Sequence, residues 1–184
     1  PSGGASTTVV PLNQPSPMRS AWPTRMPGTS VMLLEVTPPV WSRTMDTRPA
    51  SYVVVVEDGA VLLAHWNENG KTGWTLPGGG MEEHETTEET AVREFREETG
   101  FDVALDGLLG VDTNYVPAAA RFSEGAGDLR ALRVIYRGHI TGGELTHEVG
   151  GTTDECRWVP LDEVASLKRV SLVDAAMELL AGSQ

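Results

Sequence analysis

The sequence predicts an α/β domain preceded by a proline-rich arm, on three observations. Nine of the twelve prolines fall within the first fifty residues. From Tyr52 onward, short β-branched runs are punctuated by turn signals. Between these runs lies one stretch, Thr86 to Gly100, with helix signals at both ends. The expected division is residues 1–50 as the arm and 51–184 as the domain.

A chain of 184 residues is long enough for one domain with a substantial core plus an extension. Hydrophobic residues at 40% and charged residues at 22% are close to globular averages, so a folded core is expected. The net charge of −12, with only 14 Lys and Arg, argues against general affinity for a nucleic-acid backbone. It suits a protein that binds cations. Cys156 is the single cysteine, which excludes an intrachain disulfide or a thiolate-rich zinc site and points to a reducing compartment, the cytoplasm. No run of about 18 apolar residues is available to span a bilayer, and the N-terminus lacks the charged start and apolar core of a secretion signal. No membrane partner is expected.

In the arm, Pro11, Pro15, Pro17, Pro38, Pro39 and Pro49 remove backbone donors and interrupt regular elements. Trp22, Trp41 and the run Val31 to Leu34 give it apolar groups to bury, either on its own domain or across a homodimer contact. Met45 offers an alternative start, which would leave residues 1–44 outside the chemistry. Val53 to Val56, the Asp58-Gly59 turn signal and Val61 to Trp66 read as a β-hairpin. A polar loop, Asn67 to Gly73, leads to Trp74-Thr75-Leu76-Pro77 and then to Gly78, Gly79 and Gly80, whose backbone is free to approach a ligand closely. Val103 to Val111 and Ala131 to Ile140 read as strands separated by a long loop, Thr113 to Asp128. Gly142-Gly143 is a turn signal; Cys156, Trp158 and Pro160 share one face of a short strand, with Cys156 a packed thiol; and Leu172 to Leu180 reads as a final helix.

The helix between these strands carries the chemistry. Thr86 and Glu89 have capping-box spacing, and Gly100 can take the left-handed conformation of a C-terminal cap, with Phe101 placed to touch Phe95. At about 100° per residue, Ala91, Val92, Phe95 and Thr99 fall on one side, while Glu94, Glu97 and Glu98 gather on another. Like charges at these spacings repel by roughly 0.2–0.5 kcal/mol per pair, a penalty that a bound cation would remove. Carboxylate oxygens are the ligands that Mg2+ and Mn2+ prefer. Alone, such a face is more often a solvated surface. The glycine turn leading into it, and Arg93 placed to fix a glutamate by a bidentate pair, favour a site.

Gly79, five residues, Glu85, seven residues and then Arg93-Glu94-Phe95-Arg96-Glu97-Glu98-Thr99-Gly100-Phe101 resemble a complete Nudix box, a pattern of 23 residues with every fixed position filled. The resemblance implies an α/β/α sandwich with a mixed β-sheet over about Tyr52 to Gly182. It implies hydrolysis of a nucleoside diphosphate linked to another group, with Mg2+ or Mn2+ held by Glu94, Glu97, Glu98 and the Gly79 carbonyl. Arg93 would orient Glu94 or pair with Glu85. The general base is a box glutamate or one from a later segment, where Glu144, Glu148 and Glu155 are the candidates and Glu148 is the one assigned. No histidine is given a role.

Substrate choice lies outside the box. Pro117, sixteen residues beyond Phe101, is reminiscent of ADP-ribose pyrophosphatases, whereas the short glycine-led entry into the box also suits (deoxy)nucleoside triphosphates. The triphosphate is favoured; ADP-ribose or a nucleotide sugar is the alternative, and a non-catalytic nucleotide-binding module is the third reading. Trp74 and Tyr115, with Trp66, are candidates to stack on a base. A basic patch from Arg121, Arg130 and Arg133 would be needed to admit a capped RNA.

Overall fold

A computed structural model describes residues 45–121, 127–146 and 153–183. The arm's tryptophans, its Val31 to Leu34 run and the homodimer contact expected through it lie outside the described residues.

The chain forms β1 (Asp46–Val54), β2 (Val56–Glu57), β3 (Ala60–Glu68), β4 (Lys71–Thr75), β5 (Gly78–Gly80), α1 (Thr87–Thr99), β6 (Phe101–Val116), β7 (Leu129–Gly143), β8 (Thr153–Pro160) and α2 (Ser171–Gly182). One sheet has the order β5-β1-β7-β6 and is mixed, because β1 runs parallel to β7 and antiparallel to β5. In the second sheet β3 pairs antiparallel with β2, β4 and β8. Two apolar cores lie on opposite sides of these sheets. Phe95 and Ala91 of α1 pack on Val53, Leu62, Val134 and Tyr136. Leu172, Val173 and Ala176 of α2 pack on Val54, Leu63, Leu76 and Ile135. The result is the α/β/α sandwich with a mixed sheet.

Several boundaries differ from the sequence reading. The strand β1 begins at Asp46, inside the stretch assigned to the arm, and includes Pro49; its parallel pairing with β7 starts at Asp46 opposite Leu129. The Val53 to Val56 run serves two sheets, since β1 ends at Val54 and the hairpin proper pairs Val56 with Val61 through Asp58 and Gly59, both at positive φ. No long loop begins at Thr113. The strand β6 continues to Val116 because each residue there finds a partner on β7, Tyr115 facing Arg130 and Val116 facing Leu129. Those pairings are non-local, so local propensity does not reveal them.

Candidate active site

Both ends of α1 form as their residues dictate. Thr86 accepts the Glu89 amide at 3.2 Å while the Glu89 carboxylate accepts the Thr86 amide at 2.8 Å, closing the capping box. Gly100 takes φ 75° and sends its amide to the Arg96 carbonyl. Phe101 packs on the cluster that holds Phe95. The buried strip is Thr90, Ala91, Phe95, Glu98 and Thr99. Val92, expected on that strip, is 38% exposed because it lies about 100° round from Ala91, past the contact edge. Glu98, expected beside Glu94 and Glu97 on the outer face, is instead buried at the seam, three residues on from Phe95.

Arg93 organises the acidic side. Its Nε and Nη2 donate to the two Glu85 oxygens at 2.5 and 2.8 Å, Nη1 donates to Glu94 at 2.9 Å and to Glu97 at 3.1 Å, and Nη2 also reaches the Gly80 carbonyl at 3.2 Å. A planar fork with five donors can satisfy three carboxylates and a carbonyl, which a lysine cannot. The Arg93 guanidinium and the backbone donor of Glu82 hold the Glu85 carboxyl down at about 2. Burial raises the Glu94 carboxyl despite the opposing pull of Arg93, and Glu97 adds to the rise by like charge.

The glycine strand β5 passes directly over Glu94. A Cβ on Gly79 would lie 2.6 Å from both the carboxyl carbon and one oxygen of Glu94, so any side chain there would push the carboxylate out of its present position. Gly78 has φ 140°, and a Cβ there would strike the backbone of Ser51 and Tyr52. Its amide donates to Glu98 Oε2 at 2.9 Å. Glu94, Glu97, Glu98 and the Gly79 carbonyl are hard oxygen donors, the chemistry that a divalent cation such as Mg2+ requires, and Glu94 lies against Gly79. Among the described residues no three acidic, histidine or cysteine side chains already converge as a ligand set. Arg93 occupies one oxygen each of Glu94 and Glu97, and a cation would have to draw on the same carboxylates.

The acidic seam opens on a cleft of about 440 Å³, lined by Gly78, Gly79, Glu94 and Glu98 together with Arg48, Tyr52, Trp66 and Arg133 among others. Arg48 and Tyr52, four residues apart on β1, share a strand face. The Arg48 guanidinium lies 2.6 Å from where a Gly80 Cβ would stand. The sequence signal for Arg48 and Tyr52 was their period-two spacing, obscured by the prolines around them.

The other nominated residues are distributed more widely. Trp74 is buried in the α2-side core, with His65 at 5.0 Å and Arg157 at 4.3 Å from its ring, and does not line the cleft. Tyr115 is 61% exposed near the end of β6, also outside the cleft lining. Trp66 does line it. Glu148 lies outside the described residues, Glu144 is exposed just after β7, and Glu155 is exposed on β8 opposite His65. Cys156 is buried as expected. No basic patch forms from the three arginines: Arg121 pairs with Asp46 at 2.6 Å, Arg130 bonds Thr47, and Arg133 is buried against Asp112 and Ser171. No helix among the described residues is long and apolar enough to cross a membrane.

Comparison with known proteins agrees with this geometry. Residues 46–178 match the NUDIX domain. The "Putative 8-oxo-dGTP diphosphatase" of Bacillus subtilis (strain 168) is 32% identical over 130 residues, covering 68% of this chain and 77% of the relative. A "MutT-like protein" of Streptomyces ambofaciens is 41% identical over 127 residues, covering 67% of this chain and 72% of its own. The crystal structure of a MutT NUDIX hydrolase from Burkholderia pseudomallei is similar at TM-score 0.60 and 26% identity, over 73% of this chain and 98% of that one. With the box glutamates, their arginine and the glycine strand assembled on the sandwich, the chain belongs to the Nudix hydrolase family, enzymes that cleave acid anhydrides in phosphorus-containing substrates.

Proposed function

We propose that this chain is a (deoxy)nucleoside triphosphate pyrophosphatase, acting on oxidised as well as ordinary triphosphates and releasing a nucleoside monophosphate and pyrophosphate. The observation that carries this reading is a cleft of about 440 Å³, of small-molecule size, whose lining sets Gly79, Glu94 and Glu98 of the box beside Arg48 and Trp66. Pro117, whose spacing favoured ADP-ribose, is exposed after β6 and is not among the cleft-lining residues. The name of the Bacillus relative points the same way.

Nudix hydrolases generally use divalent metals, typically Mg2+. In this chain Glu94, Glu97, Glu98 and the Gly79 carbonyl would hold the metal, with Mn2+ as the alternative. When bound, such an ion neutralises charge developing on the phosphate oxygens and lowers the pKa of a bound water. Arg93 keeps Glu94 and Glu97 in register with Glu85 and the glycine strand. Arg48, exposed at the cleft, where its charge also acts on Glu94, pairs with a substrate phosphate. Trp66 and Tyr52 offer apolar surface to the base. Glu94, which lines the cleft against Gly79, is the box group assigned to take a proton from the attacking water. As the water oxygen bonds to phosphorus, the bridging P–O bond breaks and its electron pair leaves with pyrophosphate.

A nucleotide panel assayed with Mg2+ tests the substrate. The reading predicts kcat/KM for oxidised or ordinary triphosphates at least about tenfold above that for ADP-ribose, a difference of about 1.4 kcal/mol in transition-state binding. A preference for ADP-ribose or a nucleotide sugar would overturn it.

A further inference from the structure

Far from the box in sequence, two side chains of β8 close on one of its glutamates. Thr153, 3% exposed, donates its hydroxyl to Glu98 Oε1 at 2.7 Å. Three residues on, the buried Cys156 thiol reaches the Glu98 backbone carbonyl at 3.2 Å. With the Gly78 amide on Oε2, Glu98 is held from β5 through one carboxylate oxygen and from β8 through the other. Both Thr153 and Glu98 line the cleft beside Gly79 and Glu94. Filling the seam does not require this arrangement, since buried polar groups can often be exchanged for apolar ones of the same shape at little cost. What two donors on separate strands add is a fixed rotation of the carboxylate.

We propose that Thr153 is a positioning residue for divalent-metal binding. Its hydroxyl fixes the rotation of the Glu98 carboxylate, which would hold the ion together with Glu94 and Glu97. The proposal rests on the reading of Glu98 as a metal ligand. It follows the general behaviour of ligating carboxylates, whose hydrogen-bond partners set affinity by about 10–100-fold.

Titration of Mn2+ onto the full chain, followed by the paramagnetic resonance signal of the free ion, tests it without relying on turnover. Thr153→Val, which removes the hydroxyl at nearly constant volume, is expected to weaken Mn2+ binding about 10–100-fold, and Thr153→Ser to recover most of it. Added to Glu98→Gln, Thr153→Val should cost little more, since both remove one interaction. Wild-type affinity in Thr153→Val beside weak binding in Glu98→Gln would overturn the proposal while leaving Glu98 a ligand. Wild-type affinity in Glu98→Gln would overturn the ligand reading beneath it. Should Thr153→Val fail to fold, Thr153→Ala against Thr153→Ser makes the same comparison. A lowered unfolding midpoint with unchanged Mn2+ affinity in either truncation would mark Thr153 as structural only and also overturn the proposal.

Discussion

Gly79→Ala separates the chemistry of this site from its folding. The backbone at Gly79 does not occupy the left-handed region, so alanine brings no conformational strain there. The methyl group would instead meet the Glu94 carboxyl carbon at 2.6 Å. Carbon atoms in ordinary contact stand about 3.5 Å apart, so the carboxylate must retreat by about 0.9 Å. A flexible side-chain end can move that far at small cost, and the unfolding free energy should change by less than about 1 kcal/mol. Catalysis is less tolerant: a misplacement near 1 Å costs about 100-fold in rate, or about 2.7 kcal/mol in the barrier. Steady-state kinetics with Mg2+ and thermal unfolding of the same preparation give both numbers. Full activity in Gly79→Ala would refute the inference that the glycine strand sets the position of Glu94. Loss of folding would refute its assignment as a purely local contact.

Three further outcomes follow from the charged groups of the site. Arg93→Lys leaves a charge but no fork, so Glu85, Glu94 and Glu97 lose their common anchor; kcat should fall about 10–100-fold, and wild-type kinetics would contradict the organising role. Glu85 titrates near 2 in the fold against an ordinary 4.5, so between those values the unfolded chain binds more protons. Its stabilising contribution is therefore present above about pH 4.5 and is lost as pH falls toward 2. The acid-side decline of the unfolding midpoint should be shallower in Glu85→Gln than in wild type, and parallel curves would count against the Arg93–Glu85 pair. Arg48→Ala should raise KM about tenfold with kcat little changed, whereas an equal fall in kcat and kcat/KM would place Arg48 in the transition state instead.

The parts of this protein legible in the sequence are those fixed by neighbours along the chain. The capping box, the Gly100 cap and the apolar spacing of Ala91 and Phe95 are all one turn apart, and α1 forms where they place it. Arg93 reaches Glu85 eight positions back because a glycine-led turn brings Glu85 to the start of the helix. Contacts across sheets were less visible. Trp74 enters the core because β4 lies between β3 and the segment before α2, where Trp74 bridges to Arg169. The strand β6 outlasts its own β-propensity because β7 supplies a partner for each further residue. Glu98 reads as one of three equivalent acids on a helical wheel; the Gly78 amide and the Thr153 hydroxyl, 20 and 55 positions away, are partners that the wheel does not show. Arg48 was hidden by the prolines that mark the arm, and only the parallel pairing of β1 with β7 shows that this stretch is a strand.

On the proposed function, the glutamates of α1 cleave a phosphoanhydride with a divalent metal. Pyrophosphate release from a nucleoside triphosphate at saturating Mg2+, compared among wild type, Glu97→Gln and Glu98→Gln, tests it most directly. Each substitution keeps the side chain's shape and removes its charge, and kcat should fall by about 100-fold or more, with all turnover lost in chelator. Turnover at the wild-type rate in both variants would contradict the claim.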